Sequence, residues 1–180
     1  INKPEEGCYK SGTIDVIDLK NVPENIPVGK PSAEAGRASY EAIKAAVDLA
    51  LRDEVSAITT APINKKSLHL AGYPFPGHTE LLAHLTGSKQ SVLMMAGKNL
   101  RVVLVTPHVP LGQVQPLITE ERVLNTVRLT HEWLNRHVTD VPNIAVTGLN
   151  PHCGDGGIFG NEESDFILPA LKTVQKEGIQ

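Results

Sequence analysis

With 180 residues, 41% of them hydrophobic and 21% charged, the chain can bury one sizeable core and lacks the bias that keeps sequences disordered. A net charge of −3, with no basic stripe, excludes the electrostatic footprint of a nucleic-acid binder. The cysteines Cys8 and Cys153 lie too far apart for a CxxC site and are too few for a secreted disulfide framework, which points to a reducing cytoplasm, and no apolar run approaches the roughly 20 residues of a membrane span.

The first residues, Ile1 to Glu6, carry neither an initiator Met nor a signal pattern, and the chain is expected to be a fragment. Residues 13–18 alternate as a short strand, and a Pro/Asn/Gly-rich loop follows. Ser32 is placed to cap a helix whose stripe of Ala38, Ala42, Ile43, Ala46, Val47 and Ala50 recurs at three and four, ending near Arg52. Residues 55–60 read as a second strand, so the order strand, helix, strand suggests a parallel sheet. A short helix over 64–70 is stopped by Gly72, and Tyr73-Pro74-Phe75-Pro76-Gly77 marks a boundary between lobes 1–74 and 75–180.

Beyond it the sequence predicts a helix over 78–85, then strands 92–96 and 101–106 joined through Gly97-Lys98-Asn99 at hairpin spacing, which would make the sheet mixed. Residues 119–137 form an amphipathic helix, 144–149 a further strand, 150–160 a loop, and 162–177 a closing helix ended by Gly178.

Of the seven histidines, His69, His84, His131 and His137 fall within helices and read as surface or packing residues. His78, His108 and His152 sit at element ends, in Gly-His-Thr-Glu, Thr-Pro-His-Val-Pro and Asn-Pro-His-Cys-Gly. Ligands collect at the carboxyl ends of strands in open α/β sheets, where His108 and His152 are expected. Two neutral imidazoles suit Zn²⁺, Co²⁺ or Mn²⁺ but do not complete a site, and capping of carbonyls or packing under loops is the plainer alternative. The glycines of 154–160 imitate a dinucleotide fingerprint, but Phe159 stands where its last glycine belongs; a flexible loop, or one passing close to a ligand, fits better, with Asp155, Glu162 and Glu163 placing negative charge at the next helix start. Thr79 either caps its helix or, with backbone N–H groups beside His78, receives a phosphate or carboxylate. Lys65 and Lys66 could pair with an anion or be simply solvated.

Together, Thr60-Ala-Pro-Ile-Asn-Lys65, Ala71-Gly-Tyr-Pro-Phe-Pro-Gly-His-Thr-Glu80, Arg101-Val-Val-Leu-Val-Thr-Pro-His-Val-Pro-Leu111 and Leu149-Asn-Pro-His-Cys-Gly-Asp-Gly-Gly157 resemble the 4-hydroxythreonine-4-phosphate dehydrogenase family in order and spacing. The resemblance implies a three-layer α/β/α fold with a mixed sheet, like isocitrate and isopropylmalate dehydrogenases, incomplete at both ends in this chain. It implies substrate binding by His78 and Thr79, and metal binding by His108 and His152, with the family's third histidine lying beyond Gln180. Cys153 departs from the family's usual small residue and could act as an adventitious ligand; Pro107 replaces its usual Thr or Ser. The implied activity is NAD-dependent oxidation and decarboxylation of 4-phosphooxy-threonine in pyridoxal 5'-phosphate synthesis, assisted by Zn, Co or Mg, in a cytoplasmic homodimer whose site lies at the subunit interface. A dehydrogenase for 4-phospho-threonate or 4-phospho-erythronate, and a non-catalytic ligand-binding module, are the alternatives.

Overall fold

A computed structural model describes all residues, Ile1–Gln180. The chain forms two compact units, Ile1–Lys89 and Gln90–Gln180. In the first, the Ser32 hydroxyl accepts the backbone N–H of Ala35 at 3.2 Å and starts helix α1, Ala33–Leu51. Asn64 does the same for Ser67 at 2.9 Å and starts α2, Lys65–Leu70. Each cap satisfies one of the N–H donors that a helix start leaves without a partner. Helix α3, His78–Thr86, follows and ends at Gly87 in the left-handed conformation.

Of the stripe read from the sequence, Ala38, Ile43 and Val47 are buried, Ala46 and Ala50 half-buried and Ala42 exposed; Ile43 and Val47 pack with Leu81 of α3, covered by Tyr40, Ile58, Ile63, Phe75, Leu82 and Leu85. Phe75 and Leu81 thus dock on α1, and the Pro-rich segment 73–77 links helices of the first unit, which runs on through Lys89. Gly36 sets how closely α1 meets α2, since a Cβ there would stand 1.9 Å from the Ser67 carbonyl oxygen.

In the second unit, strands β1 (Leu93–Ala96) and β2 (Arg101–Leu104) form the expected antiparallel hairpin, with Leu93 opposite Leu104 and Ala96 opposite Arg101. After β2 come a 3₁₀ turn, Leu111–Gln113, and a short helix α4, Val114–Leu117, neither of which the sequence patterning predicted. Helix α5, Glu120–His137, is capped by Thr119, and α6, Leu168–Lys176, is entered through a π-helical turn, Glu163–Ile167. The expected helix over 162–177 is thus present without a break, with a π-helical turn within its first part. Ile118, Val123, Val127, Ile167, Ala170 and Val174 form the core, with Val105, Ile144, Val146 and Leu149 against it.

The structure is α/β, but its one ladder is antiparallel and two-stranded. The strands expected at 13–18, 55–60 and 144–149 have no ladder. A strand exists only when a neighbour supplies complementary N–H and C=O groups. Residues 144–147 still show the period of two: Ile144 and Val146 are half-buried against the core and Ala145 and Thr147 exposed. No helix is long and apolar enough to cross a membrane.

Candidate functional site

His108 and His152 lie in the second unit, His108 in the turn after β2 and His152 in the loop 150–160. Both are exposed, and both hold positive φ, 56° and 53°. No other histidine of the chain does. Positive φ is uncommon outside glycine and, for residues other than glycine, concentrates where a side chain is held for a purpose. His152 opens a run of six residues with positive φ, His152, Cys153, Gly154, Asp155, Gly156 and Gly157. Each residue with a Cβ costs about 1–2 kcal/mol in that conformation, so His152, Cys153 and Asp155 require something to hold them.

The support lies beneath the loop, in the adjacent buried glutamates Glu162 and Glu163, 7% and 6% exposed. One Glu163 oxygen accepts the backbone N–H groups of Leu149 at 2.7 Å and Asn150 at 2.6 Å, and the other accepts the Asn150 side-chain amide at 3.0 Å. The Asn150 amide also donates to Glu162 at 2.6 Å. The second Glu162 oxygen accepts from Gln115 of α4, so one carboxylate ties the segment after His108 to the segment before His152. The Asn150 backbone N–H, and then its side-chain amide, hold the Glu163 carboxyl below the usual carboxylate range. Gln115 and then Asn150 do the same for Glu162, against the repulsion of Glu163. Sequence reading placed these glutamates at a helix start as simple negative charge; their partners lie 12 to 47 positions away, and no local pattern announces them.

Apart from a ring contact between His152 and Phe159, at a centroid distance of 6.3 Å, neither imidazole has a partner. Their ring nitrogens fit the donor chemistry of a borderline divalent ion. No group of three or more His, Cys, Asp or Glu side chains in this chain could hold an ion, so these residues do not complete a metal shell among themselves. Cys153 is a free, exposed thiol.

In the first unit, His78 is the first residue of α3. The N-cap is Gly77, not Thr79, and no side chain caps this end, so the reading of Thr79 as an ordinary cap does not hold. Thr79 is exposed in the first turn, and the His78 Nε2 is buried without a hydrogen-bond partner. An uncapped helix start with an unpaired imidazole nitrogen suits an anionic, hydrogen-bonding ligand, although Glu80 in the same turn offsets part of the dipole. Lys65 and Lys66 open α2, and neither forms an ion pair.

The class is that of an α/β protein, with exposed imidazoles at element ends of the second unit and, separately, a bare helix start in the first. All of residues 1–180 match the family described as pyridoxal phosphate biosynthetic protein PdxA, and the chain belongs to that family. It is 46% identical over 171 residues to a 4-hydroxythreonine-4-phosphate dehydrogenase of Geobacter metallireducens, covering 94% of this chain and 50% of that protein. It is 44% identical over 179 residues to a D-threonate 4-phosphate dehydrogenase of Cupriavidus necator, covering 99% of this chain and 54% of the relative. Among solved structures, the 4-hydroxythreonine-4-phosphate dehydrogenase of Klebsiella pneumoniae superposes with a TM-score of 0.95 at 38% identity, over 99% of this chain and 54% of that one. The chain therefore spans about half the length of the relatives it matches.

Proposed function

We propose that this chain is part of an NAD-dependent, divalent-metal-assisted dehydrogenase that oxidises and decarboxylates 4-phosphooxy-threonine in pyridoxal 5'-phosphate synthesis. The observation that carries the reading is the family match over all of residues 1–180, with relatives named as 4-hydroxythreonine-4-phosphate dehydrogenases. In this reading His108 and His152 donate imidazole nitrogens to the ion, and the remaining ligand comes from outside these residues. The bound ion and NAD would supply polarisation of the substrate oxygen and hydride acceptance. His78 would use its unpaired Nε2, and Thr79 its hydroxyl and the N–H groups of its helix turn, to bind and orient the substrate. The exposed imidazoles at both metal-ligand candidates support the assignment, because no hydrogen bond within the chain occupies their ring nitrogens.

The same reading includes a three-layer fold of the isocitrate and isopropylmalate dehydrogenase type, in which neighbouring strands pair with residues 13–18, 55–60 and 144–149. It also includes a homodimer with the site at the subunit interface, and a cytoplasmic location that suits the free cysteines. NADH formation by the full-length protein should stop on chelation and return with Co²⁺, Zn²⁺ or Mg²⁺. An undiminished rate in the metal-free enzyme would sink the mechanism.

A second reading rests on the 44% identity to a D-threonate 4-phosphate dehydrogenase over 179 residues. The substrate would then lack the amino group. Turnover of 4-phosphooxy-threonine and 4-phospho-threonate under the same conditions separates the two.

A further inference from the structure

We propose that Glu163, braced by Asn150 and Glu162, is a positioning residue that fixes the left-handed turn carrying His152 and thereby presents its imidazole to the ion. The inference rests on the metal reading above and adds residues to it that are not themselves ligands. The turn holds three residues with a Cβ, His152, Cys153 and Asp155, in a conformation that a free loop abandons. What opposes that relaxation is the Glu163 carboxylate, which collects the N–H groups of Leu149 and Asn150 immediately before the turn.

The packing on the far side of the carboxylate is as close. A Cβ at Gly148 would lie 3.3 Å from one Glu163 oxygen, and a Cβ at Gly154 3.3 Å from the other and 2.5 Å from the Gly160 carbonyl oxygen. The carboxylate thus sits in a cradle of backbone, with glycine inside the turn itself. Glu163 opens the π-helical turn that leads into α6, and its neighbours Ile167, Ala170 and Val174 belong to the core. The loop is therefore held from a rigid element. Glu162 extends the hold through Gln115 to α4, beyond His108. Metal-ligating histidines depend on surrounding hydrogen bonds for their orientation, and loss of such support weakens metal binding without removing a ligand.

The test uses full-length, metal-stripped wild type and the variants Glu163→Gln, Glu162→Gln and His152→Ala. Co²⁺ is titrated with ligand-field absorption as the readout, and hydrogen exchange in the metal-free proteins follows residues 149–160 and α6. Glu163→Gln sets an amide NH₂ against the Asn150 amide donor. It should weaken Co²⁺ binding about 10–100-fold, change the band intensities, and speed exchange in 149–160 while α6 stays protected. Glu162→Gln should act in the same direction and more weakly, and it decides the matter if Glu163→Gln does not fold.

His152→Ala should abolish the spectrum. Binding by His152→Ala equal to wild type would overturn the metal reading and this inference with it. Loss in His152→Ala together with wild-type affinity and spectrum in both glutamate variants would overturn this inference alone. Equal loosening of α6 and the loop would also overturn it, since the carboxylate would then serve the fold and not the histidine.

Discussion

Glu162 and Glu163 make the second unit sensitive to acid. Both carboxyls are held below the value near 4.5 expected of an unfolded chain, Glu163 chiefly by the Asn150 backbone N–H and Glu162 chiefly by the Gln115 amide. A lowered folded-state pKa gives stability that is present above the unfolded value and lost as pH falls through the folded one. Urea midpoints should therefore fall as pH drops below about 4.5, and Glu163→Gln should flatten that dependence. A variant as steep as wild type would show that acid acts elsewhere. At the proposed ligands, His108→Ala or His152→Ala should each remove the bound ion from the full-length protein, while the unfolding free energies of the metal-free variants stay within roughly 0.5 kcal/mol of metal-free wild type because both side chains are exposed. Metal content by elemental analysis, beside a urea titration, checks both parts.

At the scale of elements, the first unit depends on how closely its helices approach. Alanine is a better helix former than glycine by about 1 kcal/mol, so Gly36→Ala would stabilise an isolated α1. Here the added Cβ meets the Ser67 carbonyl oxygen at 1.9 Å, and backbone cannot yield as a flexible side chain does. The clash wins, and a net loss of about 1–3 kcal/mol is expected. Leu81 is fully buried against Ile43 and Val47, so Leu81→Ala should cost about 2–5 kcal/mol. The stacked Tyr40 and Tyr73 rings, 3.7 Å apart, provide a near-ultraviolet dichroism signal for following both.

These elements were legible because their signals are local. Ser32, Asn64 and Thr119 each accept the N–H group three residues ahead at the start of the helix they precede, and Gly97-Lys98-Asn99 lies within the link of the hairpin. The Thr79 cap failed for a reason of the same scale: α3 begins two residues earlier than that cap requires, with Gly77 at the cap. Strands at 13–18, 55–60 and 144–149 were read from side-chain pattern, by alternation in the first, but side-chain pattern does not say what pairs with the backbone.

For the whole molecule, membership of the PdxA family rests on all of residues 1–180, and the relatives include dehydrogenases named for different substrates. The substrate test above is the prediction at this scale: 4-phosphooxy-threonine should be turned over in preference to 4-phospho-threonate, and the reverse preference would favour the second reading.

By itself the sequence determined the family, helices α1, α2, α3, α5 and α6 with the Ser32 cap, the hairpin, and His78, Thr79, His108 and His152 as the residues to watch, because residue type, short spacing and motif order carry that information. Only the tertiary structure decided that His108 and His152 stand on left-handed backbone, that Gly77 leaves α3 uncapped, and that Glu163, Glu162, Asn150 and Gln115 meet beneath the His152 loop. The physical reason is range. A cap or a turn is satisfied within a few residues, whereas a buried carboxylate takes whatever N–H groups the folded chain brings to it, and those come from segments that the sequence keeps apart.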